Sequence, residues 1–204
     1  METQGAAVTP HGRRTRDAIV DAAATLMYIH GVAGTSVDKV LAASGAGKSQ
    51  MYHYFKNKDQ LVEAVIERYL AQILANQPAI YSLESWADFD TWVEQLLDIH
   101  RQAGRPVACP LGNLTGELGD NPTIAPLLSK AYREWESHVE RGLITLRDKG
   151  ELAADAAPGR LAQAAMTCVQ GGLLLAHIRQ DITALEDALQ IAIAHLRSHA
   201  VTDS

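Results

Sequence analysis

Thr35-Ser36-Val37-Asp38-Lys39-Val40-Leu41-Ala42-Ala43-Ser44-Gly45-Ala46-Gly47-Lys48-Ser49-Gln50-Met51-Tyr52-His53-Tyr54-Phe55 reads as two very short helices joined by a small-residue turn. Thr35 is placed to cap the first helix, with Asp38 three residues on as the acidic member of a capping box. Val37, Val40 and Leu41 recur at helical spacing, and Ser44 to Gly47 supply the small residues that a sharp interhelical turn needs. In the second helix Met51 and Phe55 fall four apart and face inward. Lys48, Ser49, Gln50, Tyr52 and His53 are left pointing out, with Tyr54 at the edge. Hydrogen-bonding side chains on the outer side of such a second helix are what a DNA-reading helix-turn-helix requires.

The same residues admit a second reading. Gly45-Ala46-Gly47-Lys48-Ser49 looks like the end of a phosphate-binding P-loop, whose glycines let backbone N–H groups cradle phosphates while Lys and Ser engage phosphate and magnesium. The full spacing also requires Gly at position 42, where the chain has Ala. A P-loop follows a buried strand, whereas Val37 to Ala43 has a helical pattern.

Gln50-Met51-Tyr52-His53-Tyr54-Phe55-Lys56-Asn57-Lys58-Asp59-Gln60-Leu61 resembles the recognition helix of the TetR family of bacterial transcription repressors, running into the cap of that family's fourth helix. Arg14-Thr15-Arg16-Asp17-Ala18-Ile19-Val20-Asp21-Ala22-Ala23 and Gly31-Val32-Ala33-Gly34-Thr35-Ser36-Val37 extend the resemblance over about a quarter of the chain. Gly47 stands where the family often has Ser or Thr, and Gly also caps acceptably. The resemblance implies an all-α chain with a helix-turn-helix DNA-binding domain over 13–57 and a helical effector-binding and dimerisation domain over 58–204. Residues 1–12 are expected to be a disordered arm. It further implies a cytoplasmic homodimer that leaves operator DNA when a small effector binds. Lys48, Ser49, Gln50 and His53 are then candidates for base edges, Thr35, Tyr52, Tyr54 and Lys58 for positioning phosphates, and Ser36 is a further candidate for DNA binding.

A chain of 204 residues is long enough for one substantial core or two coupled ones, and its two Phe beside abundant Ala and Leu favour helix. The net charge of −6 is unevenly divided. Residues 11–58 carry seven Lys or Arg against three acids, whereas residues 59–204 carry eleven against twenty. A basic head attracted to phosphates and an acidic body repelled by them fit a DNA binder. No apolar run approaches the ~18 residues of a membrane span.

Further helices are expected over Arg14–His30, Lys58–Gln77, Ser85–Ala103, Pro110–Leu118, Pro122–Lys149, Pro158–Gln180 and Thr183–Ala200, with Gly150 to Pro158 as a loose linker. In the last two, Leu161, Ala165, Cys168, Gly172, Leu175 and Ile178, then Leu185, Ala188, Leu189, Ala192 and Leu196, form small-residue apolar stripes. They suit either a dimer seam or a monomer core, and the resemblance favours the seam. Phe89, Trp92, Leu96 and His100, then Tyr132, Trp135 and His138, with Met166 and Gln170, are candidates for a small, mostly apolar effector. Leu114 joins them from the segment Val107 to Leu114, which looks like one shared by a TetR subgroup, some of whose members respond to electrophiles. Cys109 precedes Pro110 at a helix N-terminus, where N–H groups favour a thiolate, so it is a candidate sensor as well as a structural cysteine.

Enzyme chemistry finds little support. There is no His-Glu-x-x-His and no Cys-x-x-Cys, so neither a metal site nor a cofactor is expected. A helical ligand carrier that never touches DNA is the other class open to this sequence, and a gel shift separates it from a DNA-binding regulator.

Overall fold

Apolar spacing at the start of the chain resolves into four helices: α1 (Pro10–His30), α2 (Val37–Ser44), α3 (Lys48–Tyr54) and α4 (Lys58–Ala75). The computed structural model describes residues 10–201, and among these the fold is helical with no strand. A 3-10 turn at Pro78–Tyr81 follows, then α5 (Trp86–Gln102), α6 (Pro110–Leu118), α7 (Ala125–Asp148), α8 (Pro158–Arg179) and α9 (Thr183–Arg197). Contacts divide the chain into two compact units. One runs up to Tyr69 and takes in Asn113–Leu128; the other combines Leu70–Gly112 with the chain from Ser129 onward.

In the first unit Ile19, Val20, Ala23, Ala24 and Met27 of α1 are buried with Val40, Met51 and Phe55, and with Leu61, Val62, Val65 and Ile66 of α4. Polar contacts tie α4 to α1: Tyr69 donates its hydroxyl to Ala24 O at 2.7 Å, and Arg68 pairs with Asp21 at 2.6 Å and Asp17 at 3.3 Å. The head's compact unit therefore reaches well past residue 57. Helix α1 begins at Pro10, so residues 10–12 are helical rather than part of an arm, and residues 1–9 lie outside the described residues. Gly31, at φ +71°, closes α1 with its N–H on Met27 O.

The cap of α2 is Ser36, not Thr35. Ser36 Oγ accepts from Lys39 N at 3.3 Å, while the Thr35 hydroxyl donates to Gly31 O at 2.8 Å. Gly45, at φ +68°, ends α2 and turns the chain toward α3. A helix therefore stands where a P-loop needs a strand, and the nucleotide-binding reading falls.

In the second unit α5 opens at Ser85, whose Oγ accepts from Asp88 N, while the Asp88 carboxylate accepts from Ser85 Oγ and Glu84 N. These hydrogen bonds hold the Asp88 carboxyl below its usual range. Helix α7 starts at Ala125 rather than Pro122, because the Asn121 side chain takes the Thr123 and Ile124 N–H groups into a turn. Gly150 to Pro158 is no loose linker: Leu152 is buried and bridges to Ala200, and Ala153 N donates to His199 O. That return stops α9 at Arg197, short of Ala200.

Over its 22 residues α8 is long and apolar enough on average to cross a membrane, although no single apolar run within it approaches that length. Packing explains this composition: Leu161, Ala165, Val169, Gly172 and Leu173 are buried, as are Leu185, Leu189, Ala192 and Leu196 of α9. A Cβ at Gly172 would meet Ala188 Cβ at 2.8 Å and Leu185 Cδ1 at 3.0 Å, so this glycine serves α8–α9 packing inside one chain. The expected seam stripe is thus split. Most of it is internal, whereas Leu175 and Ile178 are exposed together with Leu174 and Ile191.

Gly172→Val should therefore destabilise the protomer itself by ~1–3 kcal/mol through overpacking. Its thermal midpoint should fall at every protein concentration; a loss confined to dilute samples would return Gly172 to an intersubunit contact.

Candidate DNA-reading surface and body interior

The reading helix is seven residues long and is held from below. Met51 and Phe55 are 1% and 2% exposed, and the Arg16 guanidinium lies over the Phe55 ring at 5.5 Å. The backbone geometry then leaves Lys48, Ser49, Gln50, Tyr52 and His53 exposed, with Tyr54 half-buried and its ring edge-on to His53 at 4.9 Å. Gly47 caps α3 in extended conformation, and its N–H donates to Gln50 Oε1 at 2.8 Å.

That last bond orients Gln50. Its oxygen is committed to the cap, so the side chain offers its NH2 outward. A donor alone suits an acceptor on a base edge, such as guanine O6 or N7 or thymine O4. Two-pronged recognition of adenine would require the same oxygen to accept a second hydrogen bond, from adenine N6, beside that of Gly47 N–H.

Candidates for the DNA backbone separate. Ser36, Tyr52 and Tyr54 remain accessible. Thr35 is 1% exposed with its hydroxyl engaged by Gly31 O, so it frames the head instead of reaching a phosphate. Lys58 Nζ donates to Val32 O and is half-buried, leaving it further donors for a phosphate. Two residues have no sequence signal beside these. Lys39 is exposed near Ser36 with Nζ on Gly34 O at 2.9 Å, and Glu117 accepts from Val32 N at 2.7 Å and Ala33 N at 2.6 Å.

The body candidates do not all share one environment. Phe89, Trp92, Leu96, His100, Trp135 and Met166 are buried in the second unit, whereas buried Leu114 belongs to the first. Trp92 Nε1 donates to Gln77 Oε1 at 2.6 Å, and Phe89 lies between the Trp86 and Trp92 rings. His100 Nδ1 accepts from Val107 N at 3.1 Å, and burial pushes the imidazole pKa down, which keeps it neutral. His138 instead stands beside the exposed Tyr81, ring edge to ring at 4.9 Å, and hydrogen-bonds Arg141.

Cys109, Tyr132 and Gln170 come together around Gly112, where a Cβ would lie 3.4 Å from Cys109 Cβ and 3.8 and 3.9 Å from Gln170 Oε1 and Tyr132 OH. Burial pushes the Cys109 thiol up, against the downward pull of the Gly112 and Leu111 N–H groups and of Gln170. The expected thiolate preference at this helix start is thus outweighed by desolvation. Two buried donors, Trp135 Nε1 and Gln170 Nε2, make no hydrogen bond among the described residues.

Comparison with known proteins accords with this arrangement. The family described as bacterial regulatory proteins, tetR family, matches residues 19–65, and the tetracyclin repressor-like C-terminal domain matches residues 89–192. The chain belongs to the TetR family. It is 30% identical over 183 residues to a Mycobacterium tuberculosis HTH-type transcriptional regulator, MT0206, covering 84% of this chain and 88% of that one. Its identity to the Escherichia coli HTH-type transcriptional repressor ComR is 28%, over 89% and 87% of the two chains. A solved TetR transcriptional regulator from Chloroflexus aurantiacus superposes with a TM-score of 0.77 at 26% identity, covering 94% of this chain and 98% of the other. TetR regulators are DNA-binding transcription factors rather than enzymes.

Two measurements test this geometry. Gln50→Glu keeps an acceptor for Gly47 N–H but replaces the outward donor by a carboxylate, so operator affinity should fall by ~1–3 kcal/mol and base preference move toward cytosine, whose N4 donates. Selection from a random DNA pool reads both effects, and unchanged preference would remove Gln50 from the base edges. Cys109 should alkylate slowly near neutral pH and continue to accelerate well above about pH 8.5, the ordinary thiol pKa. A rate that levels off there in mass-spectrometric time courses would contradict its burial.

Proposed function

We propose that this TetR regulator is a homodimeric repressor that reads operator DNA with α3 and is released by a small, non-covalent effector held in the helical body. The observation that carries the DNA-reading part is the two-sidedness of α3. Met51 is in the core, while Lys48, Ser49, Gln50, Tyr52 and His53 are presented outward within residues 11–58, a stretch that carries seven Lys or Arg against three acids. The word repressor in the names of relatives from Escherichia coli and Streptomyces coelicolor favours repression. A cytoplasmic location follows from the operator as partner.

Leu174, Leu175 and Ile178 of α8 with Ile191 of α9 support assembly through the two C-terminal helices. They are between 42% and 68% exposed, and the neighbouring Gly171 has open space above its Cα. Four large apolar side chains on one helix pair suit a two-fold interface. A dimer would set two α3 helices against successive major grooves, ~34–36 Å apart.

For the effector, the aromatic interior favours an apolar molecule, and the unpaired Trp135 Nε1 and Gln170 Nε2 favour one that also brings a hydrogen-bond acceptor. The raised Cys109 thiol weighs against an electrophile sensor. Differential binding of the effector would shift the population between head arrangements that fit and miss the groove register.

DNA selected from a random pool by the purified protein should contain a two-fold-related site with half-sites about one helical turn apart. Failure to enrich any sequence would overturn the DNA-reading role. Ile178→Glu should yield a folded monomer by sedimentation and circular dichroism, with operator affinity down roughly a hundredfold or more as paired binding is lost. A dimer that persists would place the seam elsewhere.

A further inference from the structure

We propose that Glu117, on the last turn of α6, is a positioning residue for operator binding: its carboxylate fixes the α1–α2 turn from which α2 and the reading helix follow. This rests on the head being the DNA-reading unit. Glu117 contributes no contact of its own to the DNA in this scheme and acts through the backbone of the turn.

The turn is short, and four of its N–H groups have defined partners. Gly31 N–H bonds to Met27 O, and Thr35 N–H bonds to Val32 O at 3.2 Å. Of the three N–H groups between them, those of Val32 and Ala33 point at one carboxylate: Glu117 Oε2 accepts from Val32 N at 2.7 Å and Oε1 from Ala33 N at 2.6 Å. Successive N–H groups around one anion form a nest, made possible here by the left-handed Gly31 at φ +71°. Gly31 also makes room, because a Cβ there would stand 3.0 Å from Glu117 Oε2. Bonds this short to a charged acceptor belong to the strong class.

The Val32 peptide is gripped on both sides. Its N–H goes to the Glu117 carboxylate and its C=O to the Lys58 ammonium at the start of α4, while its side chain is buried. Three residues later Thr35 ties its hydroxyl to Gly31 O, and Ser36 then caps α2. The position of α2, and through the Gly45 turn that of α3, therefore depends on where this turn is held. Asn113–Leu128 clusters with the head and not with the body, although it lies more than forty residues beyond Tyr69.

Charge alone predicts the opposite sign for a substitution. Removing an exposed acid from a surface that approaches phosphates should tighten DNA binding, and Glu117→Gln and Glu117→Ala should do so equally. Positioning predicts weaker binding in graded order. Glu117→Gln keeps one carbonyl acceptor for one N–H, and Glu117→Ala keeps none.

The full-length protein and both variants are compared by titration against the operator selected by wild type, and by amide hydrogen exchange resolved at Val32 and Ala33. Glu117→Ala should bind roughly tenfold more weakly, the order expected for losing a charge-assisted hydrogen bond, with Glu117→Gln between it and wild type. Base preference should be unchanged, and the Val32 and Ala33 amides should exchange faster in both variants while the dimer and the circular dichroism spectrum remain those of wild type. Equal or tighter binding by the variants, or unchanged exchange at the two amides, overturns the proposal. Should Glu117→Ala unfold the head, Glu117→Gln decides it by the same readings. If wild type enriches no DNA at all, the reading of the head fails instead, and the two amides still report whether the turn is held by Glu117.

Discussion

Burial of Met51 and Phe55 gives α3 its direction, and the side chains it presents outward depend on it. A seven-residue helix lies far below the length at which a helix stands alone in water. What orients α3 is the apolar contact of one side with the head core formed by α1 and α4, reinforced by Arg16 over the Phe55 ring. The cap is equally economical: one glutamine side chain closes the first turn and still presents its donors. Chemistry at this surface is thus a by-product of how the helix is held, which is why Gln50 has a fixed orientation before any DNA arrives.

The fold was legible in the residues around that helix because they combine periodicity, turn residues and an ordered motif. Element existence followed from apolar spacing, and α2, α3 and α6 have the expected bounds to within a residue or two. Errors fell where two residues satisfy the same rule. Thr35 and Ser36 are both hydroxyl caps, and only the location of the Gly31 carbonyl decides between them. Pro122 and Pro126 are both able to open α7, and the Asn121 side chain settles it in favour of a later start.

Stripes of small apolar residues were ambiguous for a different reason. A 3.6-residue period reports that a face is covered but not by which helix, so Gly172 was as consistent with a partner subunit as with α9 of its own chain. Distance along the chain hid the rest. Glu117 reaches Val32 across 85 positions, and no local pattern distinguishes it from any solvated acid. Among the body candidates, Trp92 and His138 are aromatic or imidazole residues on helical faces, yet one is fully buried and tied to Gln77 and the other is half-buried beside the exposed Tyr81. At Cys109 likewise burial outweighs the downward pull of the Leu111 and Gly112 N–H groups at the helix start and of Gln170 from α8.

A discontinuous head changes how such regulators can be recombined. Exchanging DNA-binding modules between relatives by cutting in or after α4 would transplant the α1–α2 turn without the segment Asn113–Leu128 that packs with it. The recipient would have to supply, at one position of its own α6, a carboxylate with the reach of Glu117 to meet the Val32 and Ala33 N–H groups. A hybrid built on a recipient with an apolar residue there would carry a correct reading helix on a turn with two unanswered donors. The compact unit that would have to move in such an exchange is therefore two pieces of sequence, up to Tyr69 and Asn113–Leu128, and a chimera that carries both keeps the turn with its carboxylate.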